Sequence, residues 1–126
     1  MIKLVNKTVC VIGLGYIGLP TAALLASSGY DVVGVDLNGF VVDTINKGQI
    51  HIVEPDLDAF VRSAVAAGKL EASREPRAAD VFIICVPTPL HDGGATPKPD
   101  IDYVLSATGS IANFVKPGNL VILEST

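Results

Sequence analysis

Apolar positions fall into two alternating kinds of run, and the alternation itself predicts a fold. Thr8-Val9-Cys10-Val11-Ile12 is short, β-branched and nearly unbroken in apolar character, as a parallel strand covered on both faces should be. Beyond a glycine turn, Leu19, Ala22, Ala23 and Ala26 recur at helical spacing, with Gly29 placed to end the helix. Asp31-Val32-Val33-Gly34-Val35-Asp36 reads as a second strand, and the helix between is long enough for a parallel crossover. Asn38 is expected to cap a helix whose Val41, Val42 and Ile45 face the sheet, with Gly48 near its end.

A further helix is expected to start near Glu54-Pro55-Asp56, because proline suits a first turn and acidic groups suit the positive end of the dipole. Its apolar stripe is Leu57, Phe60, Val61, Ala64 and Val65. Lys69 to Ser73 reads as a short, less buried strand and Val81 to Val86 as a central one. From Pro87 to Asp100 the chain is turn-rich, with Gly93-Gly94 and four prolines, and reads as a mobile loop at a strand end. Asp100 is the expected cap of a helix presenting Ile101, Val104, Leu105, Thr108, Ile111, Ala112 and Val115, stopped by Pro117-Gly118. Asn119 to Leu123 is expected to form a last buried strand. The sum is an α/β domain over residues 1–126, a parallel sheet with helices on both faces. The ending at Glu124-Ser125-Thr126, where another loop and helix would follow, reads as the front of a longer polypeptide.

Composition narrows the partners. A chain of 126 residues that is 49% hydrophobic has material for one substantial core. With 9 basic and 13 acidic residues, its charge of -4 argues against nucleic acid or anionic lipid as a partner. No apolar run approaches the ~20 residues of a membrane span, and the amino terminus lacks a secretory signal pattern, so cytoplasmic residence is expected. Cys10 and Cys85 lie in apolar runs and read as buried free thiols; His51 and His91 read as surface histidines. With no clustered Cys/His set, no metal site is expected.

The candidate chemistry sits at the first turn. Gly13-Leu14-Gly15-Tyr16-Ile17-Gly18 follows a buried strand and opens a helix, the context that gives a GxGxxG spacing its meaning. Gly13 permits a tight turn, Gly15 lets a pyrophosphate approach the backbone, and Gly18 allows close packing of helix on sheet. N–H groups around Tyr16 and Ile17 are placed to receive phosphate oxygens at the positive end of the helix. Asp36, closing the second strand, is at the distance of an acid that accepts both adenosine ribose hydroxyls and repels a phosphate on one of them. The expected fold is therefore Rossmann-like, with NAD favoured over NADP. Tyr16 either covers the pyrophosphate or packs over the turn. Thr88, between Pro87 and Pro89, is either a cofactor contact at the strand's carboxyl end or a turn residue. Glu124 and Thr126, at the end of the last strand, either line the same crevice or form an exposed tail. Glu54 either holds a ligand or simply begins a helix.

Four blocks in this order resemble the UDP-glucose/GDP-mannose dehydrogenase family: Val11 to Ala22, Gly48 to Leu57, Val86-Pro87-Thr88-Pro89 and Val121 to Thr126. The resemblance covers essentially the whole chain. Within the family, the His51-Ile52-Val53-Glu54-Pro55-Asp56 block is similar to the branch acting on UDP-N-acetylmannosamine rather than on UDP-glucose. It implies an NAD-dependent, two-step oxidation of a sugar C6 alcohol to the carboxylate, consuming two NAD. It also implies that Gly13, Gly15 and Gly18 hold the cofactor, Asp36 its ribose, that Thr88 faces it, and that Thr126 supports the reaction centre. The family's catalytic cysteine matches neither Cys10 nor Cys85, and belongs to a later segment. This chain alone is thus expected to bind NAD without oxidising a UDP-sugar, and the dimerising and sugar-nucleotide domains, with any homo-oligomer contacts, are expected beyond it. Another UDP-sugar 6-dehydrogenase, acting on UDP-glucose or UDP-N-acetylglucosamine, is the first alternative, and a non-catalytic NAD sensor is the alternative of a different class.

Overall fold

β-Branched runs too short for helices pair side by side, and the computed structural model shows how; it describes residues 7–91 and 98–124. Strands β1 (Thr8–Ile12), β2 (Asp31–Val35), β3 (Leu70–Ser73) and β4 (Val81–Ile84) are joined by β7 (Leu120–Leu123). All their pairings are parallel, in the order β3-β2-β1-β4-β7. Helices α1 (Gly18–Ser27), α2 (Gly39–Asn46) and α3 (Leu57–Ala66) cover one face, and α4 (Asp102–Ile111) the other. The Rossmann-like expectation holds. Chain direction reverses about β1, since β2 and β3 lie to one side and β4 and β7 to the other; such switch points open a crevice at the carboxyl ends of the strands.

The larger core lies between β1, β2, β3, β4 and the first three helices. Val9, Val11, Val32, Leu70 and Ile83 meet Leu19, Ala22, Ala23, Val41, Ile45 and Val61 there, all buried. The alanines of α1 let helix and sheet approach closely, and the predicted apolar faces of α1 and α2 are the buried ones. Asn38 caps α2 as expected, its Oδ1 accepting from the Phe40 N–H at 3.0 Å. The free thiols of Cys10 and Cys85 are both buried.

Several expectations are corrected. β7 is an edge strand, and Leu120, Val121, Ile122 and Leu123 are all exposed. None of its residues enters either core cluster, because α4 packs over β1, β2 and β4. α4 is seated by Ala107 and Ile111, whereas Ile101, Leu105 and Val115 face solvent. Asp100 precedes the cap position: Ile101 is the N-cap, and Asp100 Oδ1 accepts from the Asp102 N–H at 2.9 Å. Phe60 of the α3 stripe is half exposed at 49%. α3 begins at Leu57, after Asp56 adopts a left-handed φ of 66°. The proline-rich loop contains a short antiparallel pairing of β5 (Leu90–His91) with β6 (Lys98–Pro99). His51 is half-buried rather than on the surface, and its Nδ1 has no hydrogen-bond partner among the described residues.

Candidate functional site: the glycine turn and the crevice beside it

Each strand of the central three delivers a different group to the carboxyl edge of the sheet. β1 runs into Gly13, β2 into Asp36 and β4 into Cys85. Ladder bonds continue past the strand ends: Gly13 N donates to Val35 O at 2.8 Å and Cys85 N to Ile12 O at 2.7 Å. The turn is therefore fixed from both sides.

The three glycines of the turn have separate reasons. Gly13 has φ +100°, and a Cβ there would lie 2.8 Å from the Cys85 carbonyl oxygen. A Cβ on Gly18 would collide with the Gly13 carbonyl. Gly15 is different: its φ is not left-handed, and a Cβ would meet nothing within 4 Å. No atom of the described residues demands glycine at this point. The open space is where a ligand can approach the backbone directly, as a dinucleotide pyrophosphate does.

The same turn carries unpaired donors. Among the described residues, the N–H groups of Gly15, Tyr16 and Ile17 have no backbone acceptor. The α1 N-cap, Ile17, offers no side-chain oxygen to the first turn. An anion at this terminus would satisfy those donors and complement the dipole. Tyr16 is 64% exposed.

Asp36 is tied to the turn. Its Oδ2 accepts from Leu14 N at 3.1 Å and its Oδ1 from Asn38 N at 2.9 Å. A carboxylate has about four lone-pair sites, so two remain for a diol. Leu14 is itself fully buried, seated where Gly34 in β2 has no side chain; a Cβ on Gly34 would come within 2.7 Å of it. Sequence spacing singled out Asp36 but missed this tie to the turn. The Leu14–Gly34 complementarity was its available signal, a glycine inside a strand marking a close approach.

On the other side of the turn, Glu124 N donates to Ile84 O at 2.9 Å, and its carboxylate reaches back to α1. Thr21 Oγ1 donates to Glu124 Oε1 at 3.1 Å and lies 3.3 Å from Oε2. The Cys85 thiol donates to Oε2 at 3.8 Å. Burial first, and then the Glu124 carboxylate, push the Cys85 thiol up to about 12. It is a protonated donor at neutral pH, not a nucleophile. Sequence reading treated Cys85 as core packing and passed over Thr21; only tertiary folding joins residues so far apart in the chain.

The remaining candidates are less engaged. Thr88 is half-buried beyond β4 and Glu54 is exposed. Thr126 lies outside the described residues. Among the described residues no cluster of His, Cys, Asp and Glu could hold a metal ion, and no helix is long and apolar enough to cross a membrane.

Comparison with known proteins gives this geometry a context. Residues 7–126 match the profile of the UDP-glucose/GDP-mannose dehydrogenase family, NAD binding domain. The chain is 58% identical over 121 residues to a UDP-N-acetyl-D-mannosamine dehydrogenase of Campylobacter jejuni, covering 96% of this chain and 29% of the relative. It is 56% identical over 120 residues to an NDP-N-acetyl-D-galactosaminuronic acid dehydrogenase of Ralstonia nicotianae, covering 95% and 28%. The structure of a UDP-N-acetyl-mannosamine dehydrogenase from Staphylococcus aureus superposes with a TM-score of 0.91 at 47% identity, over 95% of this chain and 29% of that one. The chain thus spans less than a third of the length of these relatives. NAD is the cofactor of the matched domain, and the open space at Gly15, the free donors of the turn and the Asp36 carboxylate fit it. By profile, identity and superposition alike, this chain belongs to the UDP-glucose/GDP-mannose dehydrogenase family, as its NAD-binding domain.

Proposed function

We propose that this chain is the cofactor-binding part of a UDP-N-acetyl-D-mannosamine 6-dehydrogenase, which oxidises the sugar C6 alcohol to the carboxylate in two steps. Each step removes a hydride and a proton, so two NAD are consumed, and water supplies the second carboxylate oxygen. Gly13, Gly15 and Gly18 shape the cradle, with Tyr16 and Ile17 giving N–H donors to the pyrophosphate. Asp36 accepts from the adenosine ribose hydroxyls and Thr88 faces the cofactor from the end of β4. Thr126 assists at the reaction centre, while the nucleophilic cysteine comes from elsewhere in the complete enzyme. Bound NAD supplies hydride acceptance; this chain's residues bind and orient it.

One observation carries the reading: Asp36 joins the glycine turn directly, through the Leu14 N–H, beside the open space at Gly15. The substrate preference is supported by the 51–58% identity to mannosamine enzymes from several organisms. A second reading, oxidation of an N-acetylgalactosamine nucleotide, is supported by the Ralstonia relative. Calorimetry should show NAD binding well ahead of NADP, with Asp36→Ala losing about ten- to a hundredfold in NAD affinity, the range for hydrogen bonds to a charged group. NADH formation by the complete protein with UDP-N-acetylmannosamine, UDP-N-acetylgalactosamine, UDP-N-acetylglucosamine and UDP-glucose then ranks the substrates. Equal binding of NAD and NADP, or faster turnover of another sugar, would overturn the corresponding part.

A further inference from the structure

The Asp36 carboxylate and the Gly15 opening set a direction across the sheet. An adenosine half held at β2 and a pyrophosphate at the β1 turn send the nicotinamide half toward the ends of β4 and β7. Within the described residues of the segments leaving those strands, 85–90 and 124, Glu124 carries the only formal charge. Its carboxylate is held in place. Thr21 on the first turn of α1 and the Cys85 thiol both donate to it, and Cys85 also touches the cradle itself. The Cys85 carbonyl closes on Gly13, and its Cβ lies 3.1 Å from where a Gly18 Cβ would stand. The charge therefore sits against the cradle, on its β4–β7 side.

The two redox forms of the cofactor differ in charge at one end only. The oxidised nicotinamide ring is cationic and the reduced ring is neutral, while the pyrophosphate is the same in both. A fixed carboxylate repels the pyrophosphate equally in the two forms, so that contribution cancels in their affinity ratio. Its attraction for the ring does not cancel. We propose that Glu124 is a specificity-determining residue of the cofactor crevice, favouring the oxidised dinucleotide, whose nicotinamide ring is cationic, over the reduced one through a carboxylate positioned by Thr21 and Cys85. This inference rests on the placement of the cofactor proposed above. In a two-step oxidation that consumes two cofactor molecules, such a preference speeds exchange of reduced for oxidised dinucleotide between steps.

The test is calorimetric titration of NAD and NADH into the protein and into Glu124→Gln, Glu124→Ala and Glu124→Asp, with folding verified by circular dichroism. The ratio of the NADH to the NAD dissociation constant should fall about two- to fifteenfold in the Gln and Ala variants. That is the range for unit charges about 10 Å apart with an effective dielectric between a protein surface and water. The Asp variant should keep the ratio within about twofold of the parent, and raising the salt should shrink the parent's ratio. If both affinities change in proportion, so that the ratio stays put, Glu124 only braces the fold and the proposal is overturned. Failure of the parent protein to bind either dinucleotide would instead overturn the cofactor placement and this proposal with it. A ratio lost equally in the Asp variant would also reject a role for the charge.

Discussion

The two edges of the sheet are made of different material. β3 alternates, with Leu70 and Ala72 buried and Glu71 exposed. Its open backbone is engaged at Ala72 by the Asn46 amide, which donates from Nδ2 to the Ala72 carbonyl at 3.0 Å and accepts from its N–H at 2.8 Å. Arg77 adds a two-pronged ion pair to Glu71, at 2.8 and 2.9 Å. β7 has none of this. Its residues are apolar on both faces, each between 38% and 57% exposed, and none belongs to either buried core cluster. One edge is finished for water by a side chain acting as a strand and by charge; the other keeps an interior composition while standing at the border. A run of apolar residues therefore reports what a strand is suited to contact, not what does contact it.

The sharpest way to break this comparison is to truncate neighbours across β4 and β7. Phe82, fully buried, is in register with Val121. Phe82→Ala should cost about 3–5 kcal/mol by chemical denaturation, against less than about 1 kcal/mol for Val121→Ala; equal costs would mean that β7 is packed after all. Next is the finished edge: Asn46→Ala should lose about 1–2 kcal/mol, because it strips both bonds from Ala72. Asn46→Asp keeps the acceptor and should recover part of that loss. Val121→Lys should change stability by no more than about 0.5 kcal/mol, yet lower self-association in sedimentation velocity, as charge on an open edge does.

The smallest effect is in pH. Arg77 holds the Glu71 carboxyl below its ordinary value of 4.5, chiefly through its hydrogen bonds. A carboxyl depressed in the folded state adds stability that is present above the unfolded value and lost as pH falls through the folded one. Both side chains are about half exposed, so solvent screening limits the gain to roughly 0.5 kcal/mol. Stability measured below pH 4.5 should therefore decline slightly less steeply in Arg77→Gln; β7, which carries no charge, has no counterpart to this.

Much of the fold was legible because its determinants are local. Strand β1, the glycines, the α1 alanines and Asp36 occupy one short stretch, where spacing alone orders them. The glycine turn between β1 and α1 was legible for the same reason. What escaped depends on distant parts of the chain. The Glu124–Thr21–Cys85 contact joins the last strand to the first helix, and the Asp36–Leu14 bond exists only once β2 lies beside β1. Exposure of β7 and of the Leu105 side of α4 followed from where α4 settled on the sheet, which its own periodicity does not encode. Asp56 was read as an acidic first-turn residue; its left-handed backbone is a property of the turn geometry.

Leu14 is anchored twice, by a side chain seated over Gly34 and an amide held by Asp36. With both anchors inside the fold, the turn should reach its receptive shape during folding rather than on encounter, leaving little ordering entropy to spend when a nucleotide arrives. Amide exchange at Leu14 should then be nearly as slow in the free protein as in β1, and change little on saturation.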